Sequence, residues 1–242
     1  MIRDASGQSH SLIRRSWEAA MAVKGIDKVY IATDDMRIAS HVEDFGGNPI
    51  MTSAECANGT ERCGEAMKKI GSEAEIIINF QGDALLTPPW IVEELIGALE
   101  QQPDVSIATP VVRADLETWH TLQQEKQAHR LGATTAVFTK DKKALYFSRE
   151  VLPYINDEAA EQAKSLPVYV HVGVYAYRPD ALDTYNSWSM GPLEEKEGLE
   201  QLRFLENGQQ VLCVEISTRG RVLWDLNNPE DIERIERALN DV

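Results

Sequence analysis

The sequence predicts an α/β protein whose mainly parallel sheet is flanked by helices, and three observations carry that reading. Apolar strand-like runs alternate with helix-like periodic segments for most of the chain, the order that crossover connections require. Several runs end in polar or acidic residues, as at Asp34-Asp35 and Gln81-Gly82-Asp83, and strand carboxyl ends are where open α/β sheets hold ligands. The 242 residues are 43% hydrophobic and 26% charged, which suits one large core and a single domain over residues 1–242.

Lys28 to Thr33 is an apolar, β-branched run, and Ile38, Val42 and Phe45 follow at helical spacing until Gly46-Gly47 stops the helix. Pro49 to Thr52 reads as a short strand. Asn58 and Glu61 resemble a capping box at the start of a helix carrying Cys63, Met67 and Ile70. Glu75 to Phe80 (EIIINF) has the strongest buried-strand pattern. Thr87, before Pro88 and Pro89, is a candidate N-cap for a helix that buries Ile91, Leu95 and Ile96. Val105 to Val112 and Thr134 to Thr139 are further strands, and the polar, weakly patterned stretch at about 113–130 is a candidate insertion or flap.

Val168 to Tyr177 alternates cleanly: Val168, Val170, Val172, Val174 and Ala176 define a core face, while Tyr169, His171, Gly173, Tyr175 and Tyr177 define the other. That second face offers hydroxyls, an imidazole and a glycine gap for close approach. Leu199, Leu202 and Leu205 form a helix seam, Gln210 to Ile216 a late strand, and Asn228-Pro229 opens a terminal helix with Ile232, Ile235 and Leu239 inward.

Twenty-four Lys and Arg against thirty-nine Asp and Glu give a formal charge of −15 and a pI near 4.8. That sign argues against nucleic acid and against an anionic membrane surface as partners. A phosphate compound would need local arginines, helix N-termini or a divalent cation to offset the repulsive field. Cysteines 56, 63 and 213 are odd in number and lack C-x-x-C spacing, so free thiols are expected. The start of the chain lacks a signal-peptide core and no segment reaches ~18 apolar residues, so a cytoplasmic location is expected.

The strand-end rule selects Asp34, Asp35, Gln81 and Asp83. Asp83 and Asp225 can ligate a hard cation such as Mg²⁺ through carboxylate oxygen; alternatively, Asp83 only ends its strand and Asp225 supports the last helix. Arg62, in the first turn of its helix, could share an anion with free backbone N–H groups, or could pair with a surface carboxylate. Arg149 suits bidentate carboxylate recognition or the same kind of surface pair. His171 is a sugar-binding or a structural histidine. Glu200 and Gln201 flank the leucine seam, where a solvated helix face is the alternative.

Read together, IATDD, NGTER, NFQGD, ALYFSR, HVGVYAYR, PLEEKEGLEQLR and NNPEDIERI resemble, in content and order, the 3-deoxy-manno-octulosonate (Kdo) cytidylyltransferases, or CMP-Kdo synthetases. The resemblance runs from about Gly25 to the C-terminus, and its most specific part is ALYFSR together with PLE followed by LEQLR. It implies a Rossmann-like nucleotide-diphospho-sugar transferase fold, Mg²⁺, a homodimer, and attack of the Kdo anomeric hydroxyl on the α-phosphate of CTP. Asp83 and Asp225 would then be catalytic metal ligands, Arg62 and Gln81 would face the nucleotide, and Arg149, His171, Tyr175, Glu200 and Gln201 would line the sugar-acid pocket. Such a reaction depends on charge neutralisation and in-line positioning more than on a protein nucleophile.

Two departures bear on this expectation. Gln81-Gly82-Asp83 is followed by Ala84-Leu85 where the family usually has Glu-Pro. The family also opens with a buried strand and a basic phosphate loop, PAR-x-x-S-x-R-x-PGK, whereas this chain starts near the end of that region, so an N-terminally incomplete enzyme is expected. A missing first strand would leave two strands about 9–10 Å apart with unpaired backbone groups. Two other readings stand beside the main one: a cytidylyltransferase for a related acid sugar, 8-amino-Kdo or a sialic acid, and a non-catalytic relative that binds a sugar acid or a protein.

Overall fold

The computed structural model describes residues 2–3, 9–71, 73–82, 87–128 and 133–221. In chain order the elements are β1 (Ile2–Arg3), β2 (Ser9–His10), α1 (Leu12–Met21), β3 (Ile31–Thr33), α2 (Met36–Asp44), β4 (Pro49–Met51), α3 (Gly59–Ile70), β5 (Ile77–Phe80), α4 (Pro89–Gln101) and β6 (Ile107–Arg113). There follow α5 (Leu116–Gln127), β7 (Thr135–Phe138), β8 (Ala144–Ser148), α6 (Asp157–Gln162), β9 (Tyr169–His171), β10 (Val174–Tyr177), α7 (Pro179–Tyr185), α8 (Pro192–Glu197), α9 (Leu202–Glu206) and β11 (Leu212–Glu215).

The main sheet corrects the expectation of parallel strands. It runs β5-β10-β6-β9-β7-β8, every neighbour on that path is antiparallel, and only β11 joins β6 in parallel. Since β10 is antiparallel to both β5 and β6, those two point the same way, as a crossover through α4 demands. They are not adjacent, because β10 lies between them. A separate parallel pair is formed by β3 and β4. Among the described residues β3 is hydrogen-bonded only to β4, and β5 only to β10.

The strand expected over Val168 to Tyr177 is two strands broken at Val172-Gly173. Both halves pair with β6, but β9 gives its other edge to β7 and β10 gives its other edge to β5. The break is marked by a tight bond from Val174 N to Val172 O at 2.7 Å. Opposite it stands Pro110, whose carbonyl accepts from Val172 N at 3.1 Å; the missing proline N–H thus faces an interruption rather than a continuous ladder.

Helices cover both faces. On one, Val92, Leu95 and Leu99 of α4 pack on Ala108, Val174, Ala176 and Leu212. On the other, α3, α7 and α9 cover Ile107, Tyr175 and Tyr177 with Met67, Leu182, Tyr185, Leu202 and Phe204. The tyrosine-bearing face of β10 is therefore core, not an open face: Tyr175 is 2% and Tyr177 0% exposed. Residues 116–127, within the expected flap, form α5, anchored by Trp119 and Leu122 against Ala160, Leu166 and Val168. Its pattern was weak because only those two side chains of the helix are buried.

Local signals explain most helix ends. Asn58 caps α3 by accepting from Glu61 N at 2.9 Å, and Gly71, at φ +60°, closes it in the left-handed region where glycine is favoured. Glu61 does not complete the expected capping box; its carboxylate accepts instead from Ala57 N at 2.7 Å and from Arg203 at 2.8 Å. The cap of α4 is Pro88, one residue beyond Thr87. Ser16 Oγ donates to Gly82 O at 2.7 Å, which ties α1 to the turn after β5.

Candidate active site

Six of the sequence-selected residues, Gln81, Arg149, His171, Tyr175, Glu200 and Gln201, lie at or near the ends of β5, β8, β9 and β10 or in the turn between α8 and α9, and their contacts fall into three sets. Glu200 is the centre of the first. One carboxylate oxygen accepts from Thr60 N at 2.9 Å, in the first turn of α3, and the other accepts from Gln81 Nε2 at 2.9 Å, just past β5. Burial holds Glu200 above the usual carboxylate pKa, although the Thr60 bonds pull it down. The next residue, Gln201, is 2% exposed and accepts from the Tyr175 hydroxyl at 3.0 Å. A solvated helix face is thus excluded for this pair; α9 begins only at Leu202, and both residues sit in the turn between α8 and α9.

His171 packs beside Tyr175, with ring centroids 5.4 Å apart, and meets Phe147 edge-on at 5.4 Å. Its Nε2 lies 2.9 Å from Thr109 Oγ1. Burial pushes its pKa down to about 3, so the imidazole is neutral.

Arg149 follows β8. Its N–H donates to Glu197 Oε2 at 2.9 Å, and its Nε donates to the Glu197 carbonyl at 2.9 Å. Glu197 Oε1 accepts from Ser148 Oγ at 2.8 Å and from the Tyr146 hydroxyl at 3.3 Å. Glu197 therefore staples the Arg149-bearing strand end to Gly198, whose φ of +65° turns the chain toward Glu200 and Gln201.

Arg62 is held by protein groups. Its Nη1 contacts Thr52 Oγ1 at 2.6 Å, Ser53 O at 3.4 Å and Asp34 Oδ1 at 3.3 Å, joining α3 to the ends of β3 and β4. The backbone donors that were to share an anion with it are also engaged: Thr60 N by Glu200 and Glu61 N by Asn58. The surface-pair alternative describes its contacts. Asp35 caps α2 through Arg37 N at 2.7 Å. Asp83 and Asp225 lie outside the described residues, and among those described no group of three or more His, Cys, Asp or Glu is placed to hold a metal ion.

The sequence did not single out several groups that build the site. Asn79, 9% exposed on β5, is the cross-strand neighbour of Tyr175; its signal was a lone amide inside the apolar run EIIINF. Asn79 Nδ2 and Gln201 Nε2 are buried without a hydrogen-bond partner among the described residues. A Cβ on Gly59 would stand 3.3 Å from Asn79 Nδ2, so glycine lets α3 approach β5 this closely. Arg203 (2% exposed) binds Glu194 (3% exposed) bidentately at 2.6 and 2.8 Å and Glu61 at 2.8 Å. Asn58 Nδ2 donates to the Tyr185 hydroxyl at 2.8 Å and to Glu194 at 3.3 Å. Cys63 and Cys213 are poor nucleophiles, because burial pushes each thiol up to about 12.

A sheet whose strand ends gather amides, a half-buried acid and an exposed arginine, with no activated nucleophile among the described residues, suits binding and orientation of polar substrates. The same fold occurs in a 4-diphosphocytidyl-2C-methyl-D-erythritol synthase from Anaerococcus prevotii, at a TM-score of 0.55 and 13% identity over 95% of this chain and 86% of that one. That likeness shows the fold alone and places the protein among α/β proteins with helices on both faces of a mixed sheet.

The chain belongs to the cytidylyltransferase family, whose profile matches residues 8–216. The curated 3-deoxy-manno-octulosonate cytidylyltransferases of Maricaulis maris and Chlamydia caviae are each 41% identical to it, over 94% and 97% of this chain and 86% of each relative. A solved CMP:2-keto-3-deoxy-manno-octonic acid synthetase, complexed with CTP, superposes with a TM-score of 0.80 at 32% identity, covering 95% of this chain and 88% of that one. No helix among the described residues is long and apolar enough to cross a membrane.

Proposed function

We propose that the protein forms CMP-Kdo and pyrophosphate from CTP and 3-deoxy-manno-octulosonate, as a step in lipopolysaccharide synthesis in the cytoplasm. The observation that carries this reading is the pair of buried amide donors without a partner among the described residues, Asn79 Nδ2 and Gln201 Nε2, whose residues both adjoin Tyr175, Asn79 as its cross-strand neighbour and Gln201 as its hydrogen-bond acceptor. Buried donors of this kind are costly unless a ligand supplies acceptors, and a polyhydroxylated acid is rich in them. The similarity to named Kdo cytidylyltransferases selects the acid.

In this reading Arg149 meets the sugar carboxylate. Its Nε is already directed at the Glu197 carbonyl, which orients the rest of the planar guanidinium for a charge-assisted contact. Gln201 and Asn79 donate to sugar oxygens, the Tyr175 hydroxyl keeps the Gln201 carbonyl engaged, and Glu200 holds Gln81 at the strand end toward the nucleotide. These contacts bring the anomeric hydroxyl to the α-phosphate; in-line approach supplies much of the rate because positioning removes entropy from the reaction. Arg62 belongs to the nucleotide side only if CTP displaces its Asp34 contact.

Asp83 and Asp225 offer the hard carboxylate oxygens that suit Mg²⁺, and would hold it; when bound, the ion would neutralise phosphate charge that a net −15 protein otherwise repels. A homodimer is part of the same reading, supported by Leu145 and Tyr154, exposed at 62% and 88% at and just beyond β8.

Pyrophosphate release is to be followed with CTP, Mg²⁺ and a panel of Kdo, 8-amino-Kdo and sialic acid. Kdo-dependent release abolished by EDTA supports the proposal, whereas Kdo binding without turnover would identify a non-catalytic relative.

A further inference from the structure

The break between β9 and β10 leaves the Val174 carbonyl beside Thr109, a fully buried residue at the middle of β6. Thr109 Oγ1 lies 2.9 Å from Val174 O and 2.9 Å from His171 Nε2. A carbonyl oxygen only accepts, so the single hydroxyl proton of Thr109 points to Val174. The threonine oxygen then faces His171 with lone pairs alone, and the hydrogen bond between them exists only if Nε2 carries the proton. A neutral imidazole has one N–H, so Nδ1 keeps a free lone pair. Among the described residues no hydrogen bond reaches that atom. The ring is also wedged between Phe147 and Tyr175, which opposes a flip that would exchange the two nitrogens.

We infer that Thr109 is a positioning residue for the sugar-acid site: it fixes His171 as the Nε2–H tautomer, so that Nδ1 accepts a hydrogen bond from a hydroxyl of the acid sugar. The inference rests on the proposed function and adds a rule of specificity to it. The sugar must present a donor at this nitrogen, and acceptors at Asn79 Nδ2 and Gln201 Nε2. With the opposite tautomer, His171 Nε2 and Thr109 Oγ1 would set lone pair against lone pair, unless the threonine turned its proton away and left Val174 O unpaired in the core.

The test combines a spectrum with kinetics. In wild-type protein carrying ¹⁵N-histidine, long-range ¹H–¹⁵N correlation at neutral pH should show a protonated Nε2 and a bare Nδ1 for His171. Thr109→Val, close in shape but without the hydroxyl, should give a mixed tautomer and raise KM for the sugar acid about fivefold or more, the worth of one hydrogen bond, with KM for CTP unchanged. Thr109→Ser should restore both readouts. A wild-type spectrum showing Nδ1–H overturns the inference whether or not the valine variant folds. A mixed tautomer in Thr109→Val with an unchanged sugar KM also overturns it. If wild-type protein releases no pyrophosphate with any acid sugar, the parent reading fails and the inference with it; a spectrum that still shows Nε2–H tells that case from a failure of the tautomer lock.

Discussion

Glu200 reaches the backbone N–H of Thr60 at 2.9 Å, so an acid from the turn between α8 and α9 caps the first turn of α3 from 140 residues away. Its folded pKa is raised, chiefly by burial. The folded protein therefore holds this proton to higher pH than the unfolded chain does. The associated stability is full below the ordinary carboxylate value of about 4.3 and is lost as pH rises through the folded value. Glu200→Gln removes that titration. Urea denaturation at a series of pH values should show the variant losing less stability than wild type between about pH 4 and 7.

The Arg203–Glu194–Glu61 cluster is buried at its centre, and opening it on one side leaves an uncompensated charge. Arg203→Met alone should cost about 3–5 kcal/mol, while Arg203→Met combined with Glu194→Gln should cost less than the single change. Equilibrium unfolding of the two variants measures the difference. A smaller loss in the single variant would show that water reaches the site.

Arg149 and Glu197 should behave as one unit. Arg149→Ala should raise KM for the sugar acid by about 10- to 100-fold, the range for a hydrogen bond to a charged group. Glu197→Gln places an amide where both hydroxyl and N–H donors now converge, and should raise the same constant by a smaller factor. In the Arg149→Ala background Glu197→Gln should add little, because contacting residues couple. Steady-state kinetics of the three variants completes the cycle.

Asn79 separates binding from stability. Its buried Nδ2 has no protein partner among the described residues, so Asn79→Leu should leave thermal stability unchanged or slightly higher, since an unpaired donor is removed from the interior. The same change should weaken sugar-acid binding about tenfold. Parallel melting curves and titrations check both halves, and a large loss of stability with unaltered binding would mark Asn79 as structural.

His171 bears on the acid limb of stability. Its folded pKa lies near 3, below the ordinary histidine value, so the unfolded chain takes up its proton first. The stability it contributes is present above about pH 6.5 and is lost as pH falls toward the folded value. Denaturation between pH 7 and 4 should therefore be less pH-dependent in His171→Asn than in wild type.

Much of this fold was legible in the chain, and the errors share a cause. EIIINF, Asn58 with Glu61, and the prolines before α4 act through local geometry, so strand, cap and helix start were readable. Strand direction is not local. The β5–α4–β6 crossover pattern fixes two strands as pointing the same way, but nothing in either strand says that β10 lies between them. Likewise the alternation from Val168 to Tyr177 hid the break at Gly173, because both halves keep the period of two while changing partners. In the site, Arg149, His171, Glu200 and Gln201 were readable as polar residues near strand and helix ends, their sugar-acid role came from motif resemblance, and the structure joins Gln201 to Tyr175 and Glu200 to Gln81. Asn79 and Thr109 were missed because an amide and a hydroxyl inside apolar strands give no period or spacing. Their importance comes from what faces them across the sheet.

The most direct measurement is product analysis. Incubation of the protein with CTP, Kdo and Mg²⁺, followed by mass spectrometry and ³¹P NMR, should show equimolar pyrophosphate and a CMP diester of Kdo, with neither formed when Kdo is omitted. Unchanged CTP after prolonged incubation with Kdo and the metal, using protein shown to be folded, would contradict the account.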